Sequence, residues 1–482
     1  MDDKVATMND IPWLTLPFLL IGTLLLTAVV TYLTRHWERL TALLGIGVTG
    51  FWATLLWQVD LQQPMWLLPT GQMIDMGAPI ERLGFTLRLE AGAIPMLTAM
   101  LFLTAAAFTI AASLSQGRSF VPFALTLVAG YVAVTLLYTS PLPPPLIIPL
   151  FLALLATIGV FVLQAGRLTT PTGPVRSLIA PLLAFPFFLI APYYIAQIPL
   201  NPQDFTAAQA AAQLLALGLV LLLAPVPLHG AQAAIAQSAP PVTTALLTLL
   251  SQLAALHLLY RTLATFEFVP QQAPLGLWLT WIGLITAVWG GVAAVGATHA
   301  GRLWGYAALH DWGVILLVLA APGSRGWSLV LFLFGLRVIS MLTAAAGLAV
   351  LEQHTGGLSL ERLQGAGSRL PWNSAALLLG GLGLAGFPLS AGFTGHWAAL
   401  QIVAESDWRP AAVVLLASAG AIFGYIRLAR ALFGPLENRF LSRELPINIF
   451  LAFFVLLVSI GLAVAPQLMD LPIGRALLSF TN

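Results

Sequence analysis

The sequence predicts an all-α polytopic membrane protein of about fourteen transmembrane helices, with two inverted five-helix repeats that each contain a broken helix. Three observations lead there. Of 482 residues, 59% are AVILMFWYC and only 8% are Asp, Glu, Lys or Arg; an ordinary soluble domain is about 25% charged. Twenty basic and 18 acidic residues cannot cover the surface of a soluble fold of this size, so soluble-enzyme classes are excluded. Apolar segments recur along the chain at about the 20 residues a bilayer-crossing helix needs. Two of them are too long for one straight span and carry Pro and Gly inside.

In chain order the segments are 12–34, 40–58, 91–114, 119–138, 144–164, 178–199, 205–237, 240–260, 275–297, 303–321, 327–351, 374–404, 410–432 and 447–466. The two long ones are 205–237, with Pro225, Pro227 and Gly230, and 374–404, with Pro388, Gly392 and Gly395. Interrupted helices are tolerated in a bilayer where protein or a wet cavity satisfies the freed backbone. These two sit five spans apart, which suggests a repeat of spans 4–8 and 9–13. Five is odd, so the copies are inverted in the membrane. The expected divisions are 1–118 (spans 1–3 with an outer loop at 59–90), 119–262 (first repeat), 263–432 (second repeat) and 433–482 (span 14 and a short tail).

Basic residues mark the cytoplasmic side. Loops after odd-numbered spans hold 12 of them, including Arg35, Arg118, Arg302, Arg362 and Arg439, against 7 on the other side, with Arg337 inside a span. This places both termini outside, in the periplasm if the membrane is a bacterial cytoplasmic one. Asp2, Asp3 and Asp10 precede the first span, so no signal peptide is expected.

There is no Cys, which excludes disulfides, thiolate metal sites, iron–sulfur ligation and Cys nucleophiles. Seven His are scattered over the chain without a carboxylate-rich cluster, so no metal site is expected. No phosphate cradle, nucleophile elbow or dinucleotide fingerprint occurs. The net charge of +2 gives no reason to expect nucleic acid.

Three motifs then stand in order. Residues 225–246 read PVPLHGAQAAIAQSAPPVTTAL, residues 302–320 read RLWGYAALHDWGVILLVLA, and residues 381–397 read GLGLAGFPLSAGFTGHW. Together with the span count and the broken helices they resemble the antiporter-like proton-translocating membrane subunits of respiratory complex I (NADH-quinone oxidoreductase, L, M and N types) and their relatives in Mrp antiporters and membrane hydrogenases. The resemblance implies fourteen helices, two inverted five-helix repeats, and a proton half-channel in each repeat joined by buried ionisable groups. It also implies a large hetero-oligomeric complex whose NADH, FMN, iron–sulfur clusters and quinone belong to partner subunits, with no catalytic centre or cofactor in this chain. The chain stops soon after span 14, so the expected member is M- or N-like.

Against that pattern the first repeat has lost its charges. No Asp or Glu occurs between Glu90 and Asp204, and Ile148 sits about where the family's span-5 Glu belongs. Leu222 stands at the span-7 Lys, and Ser251, beside Gln252, at the span-8 Lys or His; Lys4 is the only lysine of the chain. The expectation is that no proton passes here by a Glu–Lys route. His229, after Pro227, either caps carbonyls freed by the break or takes part in a proton relay. Ser251 and Gln252 either hold a water wire or glue helices together. His257, one turn from Arg261, reads as interfacial.

The second repeat keeps more. His310 and Asp311 are adjacent in span 10 and point about 100° apart. His310 matches the family's buried His. Arg337 lies in span 11, near the family's basic residue, and two readings stand: a neutralising pair with Asp311, or a charge that tunes a His310 relay. His396 falls on the family's Lys or Glu, just past the break at 388–395, and reads either as a proton-releasing group with an exit by Glu405 and Asp407 or as a buried cap. The proton-pathway candidates are thus His310, Asp311, Arg337, His396, His229, Ser251 and Gln252. The functions expected are a proton-translocating arm subunit of complex I, a non-pumping spacer in that arm, or a relative in a cation antiporter, membrane hydrogenase or inorganic-carbon uptake complex. A membrane lipid enzyme is the remaining class.

Overall fold

The computed structural model describes residues 15–58, 65–66, 73–74, 79–82, 85–138, 147–164, 172–200, 205–228, 230–321, 325–435 and 443–480. His229, Asp204 and Lys4 lie outside them, as does most of the loop 59–84. Helices α1 (Leu16–Leu33), α2 (Glu38–Gln58), α3 (Ile94–Ser113), α4 (Phe120–Leu136), α5 (Ile147–Gln164), α6 (Thr172–Arg176) and α7 (Ile179–Gln197) come first. Then follow α8 (Phe205–Leu222), α9 (Gly230–Ser238), α10 (Pro241–Thr265), α11 (Phe268–Gln272), α12 (Leu275–Val295), α13 (Ala300–Ala320) and α14 (Arg325–Thr355). The last are α15 (Leu360–Leu363), α16 (Pro371–Leu384), α17 (Phe393–Ser406), α18 (Trp408–Leu432), α19 (Pro446–Val464) and α20 (Asp470–Leu477). Among the described residues, 11 helices are long and apolar enough to cross a membrane, and Phe120–Leu136 and Leu154–Gln164 are shorter apolar helices.

The expectation of helix alone needs one amendment. Short strands β1 (Met65–Trp66), β2 (Met73–Ile74), β3 (Ile80–Arg82) and β4 (Phe85–Leu87) form two antiparallel hairpins before α3, and β5 (Leu137–Tyr138), after α4, extends the second. Runs this short show no periodicity against an apolar background.

Both long segments are interrupted. After α8 the chain turns at Ala224, whose φ is 48°, and restarts at Gly230. After α16, Gly386 takes φ 67°, and its amide donates to Gly383 O (3.1 Å) while Phe387 N donates to Leu382 O (3.0 Å). That is a Schellman ending, in which a left-handed glycine lets the chain close over the last carbonyls. Gly392 then lies against Gly383 so closely that a Cβ there would stand 1.9 Å from the Gly383 carbonyl oxygen. The α8–α9 break is satisfied from the other half of the chain. Trp312 Nε1 donates to Leu223 O (2.9 Å), and Val226 N donates to Thr286 Oγ1 (3.1 Å).

Starts of buried helices are capped by side chains. Gln116 Oε1 accepts from Val242 N at the start of α10, and buried Glu444 accepts from both Asn373 N and Asn373 Nδ2 at the start of α16. A carboxylate at a helix N-terminus is favoured by the aligned peptide dipoles. His299 caps α13, its Nδ1 accepting from Gly301 N (3.2 Å). Burial, then the charge of Arg302, pushes the His299 imidazole below the usual histidine range.

Candidate functional site

The centre of the molecule is α13, which is buried along most of its length. Small residues make this possible. A Cβ on Gly290 would stand 2.4 Å from His310 N and 2.7 Å from Tyr306 O, so only glycine lets α12 lie this close to α13. The close approach brings Ala287 O to 2.8 Å from His310 Nδ1. On the other side of the ring, His310 Nε2 lies 2.8 Å from Ser418 Oγ of α18.

These contacts define how His310 can carry a proton. The Nδ1–H donates to the Ala287 carbonyl, so in the neutral ring Nε2 accepts from the Ser418 hydroxyl. When Nε2 is protonated it becomes a donor. Ser418 then turns its own proton to Val414 O, which lies 3.2 Å away. A hydroxyl rotor thus accommodates both charge states of a fully buried imidazole.

Asp311 points the other way, as adjacent helical positions must. Its Oδ2 accepts from Arg337 Nη1 at 2.6 Å, with side-chain exposures of 4% and 0%. The same Nη1 donates to Ala308 O (2.7 Å), and Arg337 Nε donates to Gln252 Oε1 of α10 (3.0 Å). The guanidinium also stands over the Trp312 ring at 5.6 Å. Its Nη2 has no hydrogen-bond partner among the described residues. A buried charge pair is retained only where such partners offset its desolvation.

His396 closes the cluster. It begins the first turns of α17, held by Nδ1 against Gly392 O (3.1 Å) and by its ring against Gly386. Its Nε2 is 3.5 Å from Asp311 Oδ1, within ion-pair range but without hydrogen-bond geometry. Its ring lies parallel to that of His310, 5.9 Å between centroids. Asp311 is therefore shared by Arg337 and His396, and a proton on His396 would compete with Arg337 for the same carboxylate.

The structure thus brings His310, Asp311, Arg337, His396 and Gln252 together. Ser251 does not join them: its hydroxyl donates to Thr248 O of its own helix (3.0 Å), and it is exposed. His229 lies outside the described residues. His257, read from the sequence as interfacial, is buried within the chain, with its ring edge-on to Phe480 (5.7 Å). Phe480 covers it from a distant part of the chain, which helical spacing cannot show. Asp407 caps α18, accepting from Arg409 N (3.0 Å), and Glu405 is exposed beside it. Nothing in the sequence singles out Ser418, a hydroxyl in an apolar span, or the carbonyls of Ala287 and Ala308. Among the described residues, no group of three or more His, Asp or Glu could hold a metal ion.

Residues 193–423 match the family model described as NADH:quinone oxidoreductase/Mrp antiporter, TM. A protein of Geotalea uraniireducens (strain Rf4) named NADH-quinone oxidoreductase subunit N is 28% identical over 217 residues, 45% of this chain and 45% of that protein. The chain thus matches under half the length of this curated relative. Among solved structures, a chain of the membrane-bound sulfane sulfur reductase, an archaeal respiratory membrane complex, superposes with a TM-score of 0.78 at 18% identity, over 97% of this chain and 98% of that one. A chain of respiratory complex I from Thermus thermophilus gives 0.69 at 19% identity, over 93% and 98%. At these identities the structural likeness shows the fold.

Proposed function

We propose that this chain, a divergent member of the NADH:quinone oxidoreductase/Mrp antiporter transmembrane family over residues 193–423, serves as a membrane-arm subunit of a proton-translocating NADH:quinone oxidoreductase. Its neighbours are other membrane-arm subunits, and NADH, FMN, iron–sulfur clusters and quinone are held by partners. The membrane is the bacterial cytoplasmic membrane, with both termini on the periplasmic side.

The carrying observation is the buried cluster Arg337–Asp311–His396–His310 at a helix break. Ionisable groups this deep in a membrane are costly and mark ion and proton pathways. His396 takes a proton and is drawn to Asp311. Release of that proton returns Asp311 to Arg337. His310 exchanges its proton through Ser418. Gln252 ties Arg337 to the first repeat, so the charge state of the cluster is felt there.

The two inverted repeats are 119–262 and 263–432, and successive helices pack on one another in the same order in both. In the first, α4 packs on α5, α5 on α7, and α7 on α8. In the second, α12 packs on α13, α13 on α14, and α14 on α16. The closing contacts also correspond, α9 with α10 and α17 with α18.

The absence of acidic residues from 91–203 favours one alternative, a non-pumping spacer in the same arm. The ratio of protons moved per electron in reconstituted vesicles decides between them. Translocation through the second repeat requires a lower ratio in the His310→Ala, His396→Ala double variant of an intact complex. An unchanged ratio leaves the spacer.

A further inference from the structure

An apolar cleft runs between α3 and α14. Pro95, Ala99, Phe102 and Ala106 line it from α3, and Leu331, Gly335, Val338 and Leu342 from α14. Both sets keep the three-and-four spacing of a single helix face, so two apolar stripes run side by side without filling the space between them. Helix α10 packs on both helices and closes the back with Leu253. Helix α20 roofs one end with Met469, Ile473 and Phe480, and Ser479 Oγ accepts from Met96 N (3.2 Å), which fixes the roof to the start of α3. Phe102 is 43% exposed, so the long side of the cleft opens outward. On the roof, Arg475 stands over the Trp57 ring at 3.9 Å and donates to Trp57 O (3.0 Å). Such cation–aromatic pairs favour the depth of the lipid headgroups.

The cleft holds about 340 Å³, and every residue lining it is apolar. Water therefore finds no partner in it; an apolar cavity of about 150 Å³ already stays dry and takes up benzene. From Pro95 to Ala106, and from Leu331 to Leu342, each wall is about 16 Å long at about 1.5 Å per residue. That matches the depth of one leaflet, half of a hydrocarbon core about 30 Å thick. Spread over that length, the volume gives a cross-section of roughly 20 Å². A helix of a neighbouring subunit, about 10–12 Å across with its side chains, is far too wide. We propose that the cleft binds one acyl tail of a phospholipid, with the headgroup at the membrane surface beside α20. Recognition is by shape: Ala99, Ala106 and Gly335 leave the room, and no lining group could hold a polar ligand inside. Leu253 and Val338 adjoin Gln252 and Arg337 in sequence, so the tail packs on the two helices that the Arg337–Gln252 bond joins. The site does not depend on whether the chain translocates protons.

Photolabelling of the intact complex tests this. The complex is placed in vesicles of phosphatidylethanolamine and phosphatidylglycerol, with a diazirine on one acyl tail of part of the phosphatidylglycerol, and adducts are mapped by peptide mass spectrometry. A bound tail labels residues 331–342 several-fold more than α19, where Phe450 and Phe453 are 67% and 49% exposed and meet ordinary boundary lipid. The Ala99→Phe, Ala106→Phe double variant fills the cleft from α3. Labelling of 331–342 should then fall several-fold while that of α19 stays the same. Equal labelling of 331–342 and α19 in the wild type, or no fall in the variant, means boundary lipid only and overturns the proposal. A benzophenone amino acid in place of Phe102 gives the second readout: capture of lipid supports the site, and capture of another subunit overturns it. If the double variant does not assemble, the wild-type comparison and the benzophenone capture decide.

Discussion

The rings of His310 and His396 lie parallel, 8° apart in plane and 5.9 Å between centroids, although they stand on α13 and α17. Two imidazoles this close in a buried site cannot both be charged cheaply, because like charges disfavour each other. A positive charge on one ring therefore opposes a charge on the other. Each ring has its own neighbour for such a charge: Asp311 Oδ1 lies 3.5 Å from His396 Nε2, and Ser418 Oγ lies 2.8 Å from His310 Nε2.

His396→Ala should lower the protons moved per electron while the complex assembles normally. The ring bonds to Gly392 O and packs on Gly386 within its own helix break, and it faces His310 and Asp311 of α13. His396→Lys, which places a longer base beside Asp311, should retain more pumping than Ala. Proton-to-electron stoichiometry with a sedimentation check of assembly measures both, and equal ratios for Ala and wild type would count against a role for His396.

Arg337→Ala should cost assembly as well as pumping. It removes the hydrogen-bonded partner of buried Asp311 and leaves only His396 within ion-pair range, a loss of up to about 3–5 kcal/mol. Replacing both partners, Arg337→Met with Asp311→Leu, should restore thermal stability without restoring pumping. If the single variant is as stable as wild type in a thermal melt of the solubilised complex, the pair does not matter to the fold.

Gly290→Ala should separate α12 from α13. The added carbon meets backbone atoms of His310 and Tyr306 rather than a flexible side chain, and overpacking of this kind costs about 1–3 kcal/mol. The His310–Ala287 bond should lengthen and pumping should fall. Gly296→Ala, where a Cβ meets nothing within 4 Å, is the control. Equal melting points for the two variants would contradict the packing argument.

His299 predicts a pH effect at the end of α13. The folded chain disfavours protonating it, through burial and then Arg302. The unfolded chain protonates near the ordinary value of about 6.5. Its contribution to stability is therefore complete above that value and is lost progressively as pH falls from it toward the lower folded-state value, because over that range the unfolded state binds the extra proton. His299→Asn keeps a cap that does not titrate. The variant's melting point should fall less than wild type between about pH 8 and about pH 5; parallel curves would show that His299 is not responsible.

The sequence by itself determined the membrane class, the order of apolar segments and both helix breaks, because hydropathy and Pro–Gly chemistry are local properties. It also identified most of the buried cluster. His310, Asp311, Arg337 and His396 are conspicuous because ionisable residues are so rare in apolar spans. It could not decide which of them meet. Asp311 chooses Arg337, and His310 chooses Ala287 O and Ser418, because of how α12, α13, α14 and α18 rotate and how closely glycine lets them approach. Ser251 and Gln252 are neighbours in sequence, yet one faces a cavity and the other joins Arg337. The burial of His257 depends on Phe480. Contacts between residues far apart in the chain follow from the packing of whole helices, which spacing along any one of them does not encode.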